Sequence, residues 1–460
     1  MKADYDLVIL GGGSAGYAAA QTGAKLGLQV ALVEEADKMG GLCILRGCMP
    51  SKTLIETANR MRDIREAAEF GITVPPGARV EGAALLARRQ RLGQSFQDSR
   101  LAEMRKGDFA ILRGRGRFLS EHKLALHCGD EQELTFRTAI IATGSEPRLP
   151  DIEGLAKVPF WMSEDALQVE DIPERLLVVG GGAIGCEMGH CFEGLGSAVT
   201  LCQRSGNLLS HFPEEAGREL VAASRARGIH VLLNCETRSV QPRPRGEGIM
   251  LNVNVDGQAR TLEGDQLLIA TGRKPRIADL GLKEIGIVSD EHGIKADGKG
   301  HTSLPHIFAV GDCADGVDIV HHAVIEGEQA ARNAHALLHG DALSDADTTP
   351  TVFAVFSHPE VIHIGPSAHK LAQRSDLVTR RVPLEEVGKA LIRGIDTGFV
   401  QVFLEKDSDR LIAATGVGRG AVDFSHTLVV AIRAGMTMTE FLRIPHYHPT
   451  LAESWTYLES

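Results

Sequence analysis

The residues from Leu7 to Gly16, Leu-Val-Ile-Leu-Gly-Gly-Gly-Ser-Ala-Gly, decide the fold of this chain. The four apolar residues predict a short buried strand, the glycines a turn, and residues Tyr17 to Leu26 an alanine-rich helix. A second strand is predicted at 30–33, and it ends at Glu34. This order of strand, Gly-x-Gly-x-x-Gly, helix, strand and acid is typical of a dinucleotide-binding βαβ unit.

Each glycine of this loop has a distinct physical task. Gly11 permits the tight turn, Gly13 lets the backbone approach a pyrophosphate, and Gly16 lets the helix pack closely on the strand. The helix N-terminus offers unpaired N–H groups and partial positive charge to phosphates. Glu34 can accept hydrogen bonds from a ribose. A glycine turn without a ligand is the alternative, but it does not explain why all the elements occur in this order.

A second fingerprint lies further along the chain. Residues 176–179 predict a strand, 180–185 repeat the loop as Gly-Gly-Gly-Ala-Ile-Gly, and 198–201 predict the next strand. Two complete fingerprints predict two dinucleotides, and electron transfer between them is the natural reason for both. The strand-end position holds Gln203 rather than an acid, followed by Arg204. Because an arginine there favours a 2′-phosphate, we expect NADPH binding or dual use, unless Arg204 only points to solvent.

Residues 40–52, Gly-Gly-Leu-Cys-Ile-Leu-Arg-Gly-Cys-Met-Pro-Ser-Lys, place Cys43 and Cys48 five positions apart. Five helical residues rise about 7.5 Å, whereas a disulfide needs Cα atoms within about 7 Å. A bonded pair would therefore need a distorted turn around Gly47. Two buried thiols or half of a zinc site are the alternatives, although zinc half-sites usually have tighter spacing and a second pair.

With its glycines and its Pro-Ser-Lys, this stretch resembles the redox-active disulfide of the FAD-dependent pyridine nucleotide-disulfide oxidoreductases. That family includes dihydrolipoamide dehydrogenase, glutathione reductase and mercuric reductase, and the resemblance covers essentially the whole chain. The usual family form has Thr at the position of Leu42 and Asn at that of Leu45. The resemblance implies an α/β fold with two Rossmann-like domains, for FAD and NAD(P), and a C-terminal α+β dimerisation domain.

Charged stretches at about 54–70 and 82–106 predict two helices, and residues 424–434 predict a third near the end of the chain. Arg88, Arg89 and Arg91 make the second stretch basic and are expected on a solvated face.

Two similar strings, at 139–144 and 268–275, contain Ala-Thr-Gly turns where the family crosses between its nucleotide domains. The resemblance therefore implies four segments. The first part of the FAD domain is expected at 1–150 and the NAD(P) domain at 151–272. The return to the FAD domain is expected at 273–346, and the dimerisation domain at 347–460.

The resemblance also implies the catalytic residues. Cys48 would contact the flavin, and Cys43 would exchange with substrate. In the terminal His-Pro-Thr-x-x-Glu motif, His448 would take and return the substrate proton, and Glu453 would orient the histidine. His448 would reach the disulfide of the partner subunit. Lys52, paired with Glu187, would stabilise reduced flavin. Without the family motifs, the terminal motif with His448 would be interpreted as a solvated tail, and Lys52 with Glu187 as an exposed ion pair.

The cofactors that the resemblance implies are FAD and NAD or NADP. Asp312 would bind the ribityl or phosphate region of FAD, and His321 would lie near the flavin ring, whereas the neighbouring His322 departs from the family pattern and is expected on the surface. The residues implied to bind the two cofactors are Gly11, Gly13, Ser14, Ala15, Gly16, Glu34, Gly41, Lys52, Thr143, Gly144, Gly180, Gly182, Ile184, Gly185, Arg204, Gly272, Arg273, Gly311, Asp312 and His321.

The composition narrows the possible classes of protein. A chain of 460 residues predicts two to four domains. The formal charge of −11 argues against a nucleic-acid partner, and no apolar run reaches the roughly 18 residues of a membrane span. Because residues 1–6, Met-Lys-Ala-Asp-Tyr-Asp, lead directly into a strand, we expect no signal peptide and a cytoplasmic protein. Eight cysteines are too few for a secreted disulfide framework, and the six besides Cys43 and Cys48 are expected to be buried thiols.

The substrate is the least determined feature. His321 and the residue after His-Pro-Thr resemble dihydrolipoamide dehydrogenase, so we expect a small dithiol such as dihydrolipoamide, with a 2-oxo acid dehydrogenase complex as a possible partner. Gln21 stands where glutathione reductases have an arginine, and no cysteine follows Cys313, unlike in mercuric reductases. The alternatives are a reductase of another disulfide such as glutathione disulfide, and an FAD-dependent NAD(P)H oxidase, diaphorase or quinone reductase. No metal site is expected.

Overall fold

A computed structural model describes residues 3–244 and 246–458. The α-helices are α1 Ser14–Lys25, α2 Gly41–Leu45, α3 Cys48–Glu66, α4 Gly82–Lys106, α5 Ser163–Ala166, α6 Ala183–Leu195, α7 Glu214–Ala226, α8 Val320–His339, α9 Ala368–Ala372, α10 Gly388–Ile392, α11 Ala421–Phe424, α12 His426–Arg433 and α13 Met438–Leu442. Short 3₁₀ helices span Ala67–Phe70, Leu155–Lys157, Gly311–Cys313, Leu384–Glu386 and Ala452–Leu458.

The strands are β1 Tyr5–Leu10, β2 Val30–Glu34, β3 Ala110–Arg113, β4 Arg115–Ser120, β5 Lys123–Cys128, β6 Asp130–Ile141, β7 Ser145–Pro147, β8 Arg175–Val179, β9 Ala198–Cys202, β10 His230–Leu232, β11 Cys235–Pro242, β12 Ile249–Val255, β13 Gln258–Gly264, β14 Gln266–Ile269, β15 Arg273–Pro275, β16 Ser289–Asp290, β17 Gly293–Ile294, β18 Ile307–Ala309, β19 Val352–Val355, β20 Glu360–Ile364, β21 Leu377–Pro383, β22 Phe399–Glu405 and β23 Leu411–Gly418.

The chain divides into two compact units. The first unit contains Met1–Pro50, Arg88–Arg148 and Arg273–Thr348, and the second unit contains Ser51–Ala87, Leu149–Gly272 and Thr349–Ser460. The division into four segments that the sequence predicts is finer than this and stays a prediction.

The first unit is built on a sheet in the order β3-β2-β1-β6-β5-β4, with β18 also paired to β6. Strands β3, β2, β1, β6 and β18 are parallel, whereas β4 and β5 extend the sheet antiparallel. The apolar runs of β1 and β2 are buried on both faces of the sheet, as parallel strands require. Helices α1 and α8 pack against each other over this sheet.

The second unit contains three further sheets. A parallel sheet has the order β10-β9-β8-β14, a three-stranded sheet the order β11-β12-β13, and a five-stranded antiparallel sheet the order β19-β20-β23-β22-β21. In β12, buried and half-buried residues alternate, which is the pattern of a sheet with one covered face.

Several predicted elements differ from the observed ones. The predicted helix 54–70 begins earlier, at Cys48, and its last turn is 3₁₀, whereas the predicted helix 82–106 is observed with those bounds. The predicted helix 424–434 is wrong in form, because α11 ends at Phe424 and α12 begins at His426. The chain is interrupted between them at Ser425, whose side chain is buried.

Among the described residues, no helix has both the length and the apolar character needed to cross a membrane.

Candidate functional site

In the first unit, the turn after β1 holds the first glycine loop. Gly11 has a φ of +102°, and a Cβ atom there would lie 2.4 Å from the Ala142 carbonyl oxygen, so only glycine fits. A Cβ at Gly13 would meet only the Cα of Gly41, at 3.9 Å, so the loop is open at this position. Helix α1 starts after Gly13 without a side-chain cap, which leaves its first N–H groups available to a ligand.

Glu34 closes the loop from the end of β2. Its Oε2 accepts a hydrogen bond from the Gly12 N–H at 2.8 Å, and its Oε1 accepts one from the Ala36 N–H at 2.9 Å. The carboxylate is buried and fixed, and each oxygen retains a second lone pair. This arrangement can accept hydrogen bonds from ribose hydroxyls beside a phosphate-binding turn.

Asp312 follows β18, the strand that pairs with β6. Ser145 Oγ donates to Asp312 Oδ2 at 2.7 Å, and Arg273 Nε donates to Ser145 Oγ at 2.8 Å, so the carboxylate is positioned through a serine. The Gly311 N–H donates to Glu326 Oε2 at 2.8 Å. Burial and the charges of Asp312 and Glu326 raise the pKa of Asp318 to about 6, with Arg273 opposing.

These features fit the dinucleotide predicted for the first unit. The loop is open at Gly13, and the fixed carboxylate of Glu34 lies at its end. The pairing of β1 with β6 brings the Gly11 turn beside the Thr143–Gly144 turn, because the Gly11 backbone contacts Ala142 and Thr143. The assignment of Gly13, Glu34 and Asp312 to FAD binding stays a prediction, and this geometry fits it.

The two cysteines lie on different helices of a broken segment. Cys43 lies within α2 and Cys48 begins α3, and Arg46 and Gly47 interrupt the helix between them. The break occurs at the predicted place, and both cysteines are half-buried. Their disulfide and their separate roles stay predictions.

Arg89 on α4 contributes to this segment, although it was expected on a solvated face with Arg88 and Arg91. That expectation is wrong for Arg89, which is half-buried and donates to the Leu45 carbonyl oxygen at 3.5 Å. Burial lowers the pKa of its guanidinium.

His321 and His322 lie in the first turn of α8, and their rings meet edge-on with centroids 5.0 Å apart. The expectation that His322 lies on the surface is wrong, since it is only 3% exposed. Its Nε2 has no hydrogen-bond partner among the described residues. Burial lowers the pKa of both imidazoles, and for His322 the charge of His321 adds to this effect.

In the second unit, the loop after β8 repeats the geometry of the first. Gly180 has a φ of +113°, and a Cβ there would lie 2.3 Å from the Ala270 carbonyl oxygen, the counterpart of the contact at Gly11. Gly182 has open space where a Cβ would lie, and α6 begins after it without a side-chain cap. Ile184 and Gly185 lie in the first turn of α6, and Gly272 follows β14.

Gln203 takes the position that Glu34 has in the first loop. Its Oε1 accepts the Gly181 N–H at 2.9 Å, and its amide nitrogen donates to Ser205 Oγ at 2.5 Å and to the Asn207 carbonyl oxygen at 3.3 Å. The Gln203 amide therefore makes the same hydrogen bond to its loop as the Glu34 carboxylate does, but it carries no negative charge. Arg204 is exposed beside it.

Helices α3 and α6 hold Lys52 against Glu187. They approach closely, since a Cβ at Gly194 would lie 2.7 Å from the Cβ of Ala58. Lys52 Nζ bonds both carboxylate oxygens of Glu187, at 2.8 and 2.9 Å, and lies 4.6 Å from the ring centroid of Phe356. The Phe356 N–H donates to Glu187 at 3.0 Å. The predicted pair is thus formed, and its carboxylate is buried.

His448 and Glu453 meet after α13. His448 Nδ1 lies 3.0 Å from Glu453 Oε2. The imidazole is 79% exposed, whereas the carboxylate is only 7% exposed. A buried carboxylate thus orients an accessible base, and Nε2 is left to take or return a proton.

The remaining cysteines were expected to be buried. Cys186, Cys191, Cys202, Cys235 and Cys313 are buried thiols, but Cys128 is exposed, because it ends β5 at the edge of a hairpin. Burial raises the pKa of Cys186 and Cys191, the latter to about 12, so these two thiols stay protonated.

Three site residues were missed by the sequence reasoning. These are Ser145, which bonds Asp312, Glu326, which bonds the Gly311 N–H, and Phe356, which contacts Lys52 and Glu187. Ser145 follows the Thr143–Gly144 turn directly and was within reach of a motif argument. Glu326 and Phe356 carry no motif, and only the folded chain brings them to their partners.

Comparison with known proteins agrees with this geometry. Residues 5–327 match the pyridine nucleotide-disulphide oxidoreductase family, and residues 350–458 match its dimerisation domain, which supports the predicted homodimer. The dihydrolipoyl dehydrogenase of Chlamydia muridarum (strain MoPn / Nigg) is 30% identical, over 99% of this chain and 96% of the relative. That of Geobacillus stearothermophilus is also 30% identical, over 97% and 94%.

Among solved structures, the HOCl-induced flavoprotein disulfide reductase RclA from Escherichia coli has a TM-score of 0.85 to this chain. The two are 23% identical, and the match covers 99% of each chain. At this identity the likeness concerns the fold. The predicted α/β fold class with nucleotide-binding and dimerisation domains is confirmed.

Proposed function

The chain belongs to the pyridine nucleotide-disulphide oxidoreductase family and is therefore an FAD-dependent enzyme that uses NAD(P). We propose that its substrate is a small dithiol or disulfide, with dihydrolipoamide favoured. The observation that carries this proposal is the His448–Glu453 pair, with Nδ1 and Oε2 3.0 Å apart. An oriented, accessible imidazole is the group that a dithiol needs to lose its proton.

The proposed chemistry is thiol–disulfide exchange at Cys43 and Cys48. His448 takes a proton from the substrate dithiol, and the resulting thiolate attacks Cys43, so that a mixed disulfide forms and Cys48 leaves as a thiolate. The second substrate thiol then displaces Cys43, which closes the substrate disulfide and leaves two electrons on the cysteine pair. When bound, FAD supplies the two-electron chemistry that connects this pair with NAD(P).

Lys52 and Glu187 have a supporting role in this proposal. The ammonium bonds both oxygens of a buried carboxylate and lies over the Phe356 ring, so it is held in one place. A fixed cation of this kind stabilises negative charge that develops on a reduced group.

The preference for dihydrolipoamide is supported by the names of the relatives and by Gln21. Glutathione reductases have an arginine at this position, whereas here the Gln21 amide donates to the Tyr17 hydroxyl within α1. No cation is therefore offered there to a glutathione carboxylate. If the substrate is a protein-borne lipoyl group, a 2-oxo acid dehydrogenase complex follows as the partner.

For the coenzyme we propose the NADP(H) couple, with the NAD(H) couple as a second one. Gln203 places no negative charge beside the second loop, and Arg204 adds a positive one. The four-segment domain division and the sharing of each site between two subunits belong to the same proposal.

The test is an anaerobic activity series with one substrate at a time: dihydrolipoamide and lipoamide, glutathione disulfide, and a quinone, each with the NADH and the NADPH couple. The expected result is turnover with lipoamide that Cys43→Ser abolishes, while dye reduction by NAD(P)H continues. If quinone reduction is faster than lipoamide reduction and survives Cys43→Ser, the enzyme is a quinone reductase and the proposal is wrong.

A further inference from the structure

Two buried cysteines of the second unit, outside the chemistry described above, lie side by side. Cys202 ends β9, and its exposed fraction is 2%, while Cys235 begins β11 and is 3% exposed. The parallel pairing of β9 with β10 places Cys202 beside Leu232, and the Cys235 N–H donates to the Gln203 carbonyl oxygen at 2.9 Å. Both are thiols of one buried core cluster, and the contact between them shifts the pKa of each.

This thiol pair is joined through the backbone to the coenzyme loop. The Cys202 carbonyl oxygen accepts the Gly180 N–H at 2.9 Å, and the next residue, Gln203, accepts the Gly181 N–H at 2.9 Å. Two successive N–H groups of the loop are therefore held by Cys202 and its neighbour. A movement of Cys202 is transmitted to the turn that receives the coenzyme phosphates.

The two thiols are chemically unequal. The contact with Cys202 lowers the pKa of Cys235, and the charge of Arg260 acts in the same direction. The same contact, together with burial, raises the pKa of Cys202. In this pair Cys235 is the thiol that ionises more readily, and Cys202 is the one that keeps its proton.

We propose that Cys202 and Cys235 form a second disulfide under oxidation by a hydroperoxide, and that this disulfide weakens coenzyme binding. The Cys235 thiolate attacks the peroxide, forming a sulfenic acid and releasing an alkoxide or hydroxide. The Cys202 thiol then attacks the sulfenic sulfur, forming the S–S bond and releasing water. The cysteine pair loses two electrons, and the peroxide gains them.

The expected effect follows from geometry. A disulfide holds its sulfurs about 2.05 Å apart, much closer than two thiol sulfurs in contact. Closing the bond draws the end of β9 toward β11 and strains the two loop hydrogen bonds. Losing the equivalent of one such bond would weaken coenzyme affinity about three- to tenfold.

The experiment treats the resting holoenzyme with hydrogen peroxide, alkylates the remaining thiols under denaturing conditions, and maps tryptic peptides by mass spectrometry. The expected product links peptide 176–204 to peptide 228–238. Because 176–204 also contains Cys186 and Cys191, fragmentation must place the bond on Cys202. Calorimetric titration with NADP⁺ and NAD⁺ compares treated, untreated and re-reduced protein, so the main result needs no variant.

Cys235→Ala is the variant that should not form the link, and Cys191→Ser is the matched control that should still form it, since Cys191 lies on α6 in a different core cluster. Reversible weakening of coenzyme binding that appears only with the 202–235 link supports the proposal. Absence of the link after complete oxidation of exposed Cys128, or a link that leaves coenzyme affinity unchanged, overturns it. Neither outcome depends on the dithiol substrate, so this test and that of the proposed function fail independently.

Discussion

Glu34 and Gln203 occupy the same place in two copies of one loop, and they differ by one charge. Each accepts the N–H of the second glycine of its loop, at 2.8 and 2.9 Å. The hydrogen bond from the second glycine therefore forms with or without a negative charge on the acceptor. We infer that the charge at this position affects which ligand binds. A carboxylate suits two ribose hydroxyls, whereas an amide tolerates a 2′-phosphate.

Gln203→Glu should consequently move the coenzyme preference toward NADH. The new carboxylate can keep the Gly181 bond, but it repels a 2′-phosphate, so kcat/KM with NADPH should fall at least about tenfold relative to that with NADH. Steady-state kinetics with both coenzymes measure the ratio. Gln203→Ala is the control, because it removes the amide without adding charge. An unchanged ratio in Gln203→Glu would mean that this position does not face the 2′ group.

Arg204→Ala tests the neighbouring cation separately. A charge-assisted hydrogen bond to a phosphate is worth about 1.5–3 kcal/mol, so the Kd for NADPH should rise by a factor of about ten or more while that for NADH stays nearly constant. Equal losses for both coenzymes would show that Arg204 does not bind the phosphate. The exposed Arg225 at the end of α7 offers a matched arginine substitution in the same unit.

Glu453→Gln tests whether the carboxylate orients His448. An amide can keep the 3.0 Å contact in either orientation, but it does not stabilise an imidazolium. Since general acid–base assistance contributes about 10²–10⁴-fold, kcat with a dithiol should fall by a large part of that factor, while reduction of a dye by NAD(P)H stays normal. Loss of both activities together would instead indicate misfolding around the buried carboxylate.

At the scale of elements, β20 begins with a half-buried acid whose ionisation is costly. Glu360 accepts the Val422 N–H at 3.0 Å, yet burial raises its pKa from 4.5 to about 7, with the charge of Asp423 adding to the effect. At about 1.4 kcal/mol for each pH unit, the difference corresponds to about 3 kcal/mol of folding free energy. The cost is absent below pH 4.5, grows between pH 4.5 and 7, and is complete above pH 7.

Glu360→Gln should therefore raise the thermal midpoint of the holoenzyme at pH 8 and leave it unchanged near pH 4.5. The amide keeps an oxygen for the Val422 N–H, so the variant removes the ionisation and little else. Calorimetric scans of both proteins across this pH range give the comparison. Parallel pH dependences in the two proteins would show that Glu360 is already solvated in the folded state.

Elements that are fixed by local chemistry were predictable from the sequence, and those that depend on distant packing were not. The Gly11 and Gly180 turns, the break at Gly47 and the bounds of α4 follow from glycine positions and helical periodicity. The contact of Arg89 with Leu45 does not, because the two residues are distant in the chain, and the helical pattern around His322 gives no sign of its burial. Ser425 shows the same limit, since an ordinary helical pattern gives no sign that this buried residue separates α11 from α12.

At the scale of the whole molecule, our proposal has each site shared between two chains. The match of residues 350–458 to a dimerisation domain agrees with the large apolar side chains exposed there, among them Val430 at 59% and Tyr447 at 84%. Tyr447 directly precedes His448, so the most exposed aromatic ring of that domain adjoins the proposed base.

A homodimer with sites shared between its subunits predicts a result that differs from that of a subunit with its own complete site. His448→Ala and Cys43→Ser homodimers should each be nearly inactive with a dithiol. If His448 serves the partner subunit's Cys43, a heterodimer has one site with both substitutions and one with neither, so subunit exchange should restore activity in the second site. With the two variants mixed equally, half of the dimers are heterodimers and each has one working site in two, so activity should reach about a quarter of the wild-type value. This is far above the background of the two variants, because acid–base assistance contributes about 10²–10⁴-fold. Native mass spectrometry confirms the exchange, and heterodimers that remain inactive would mean that His448 acts within its own chain or not at all.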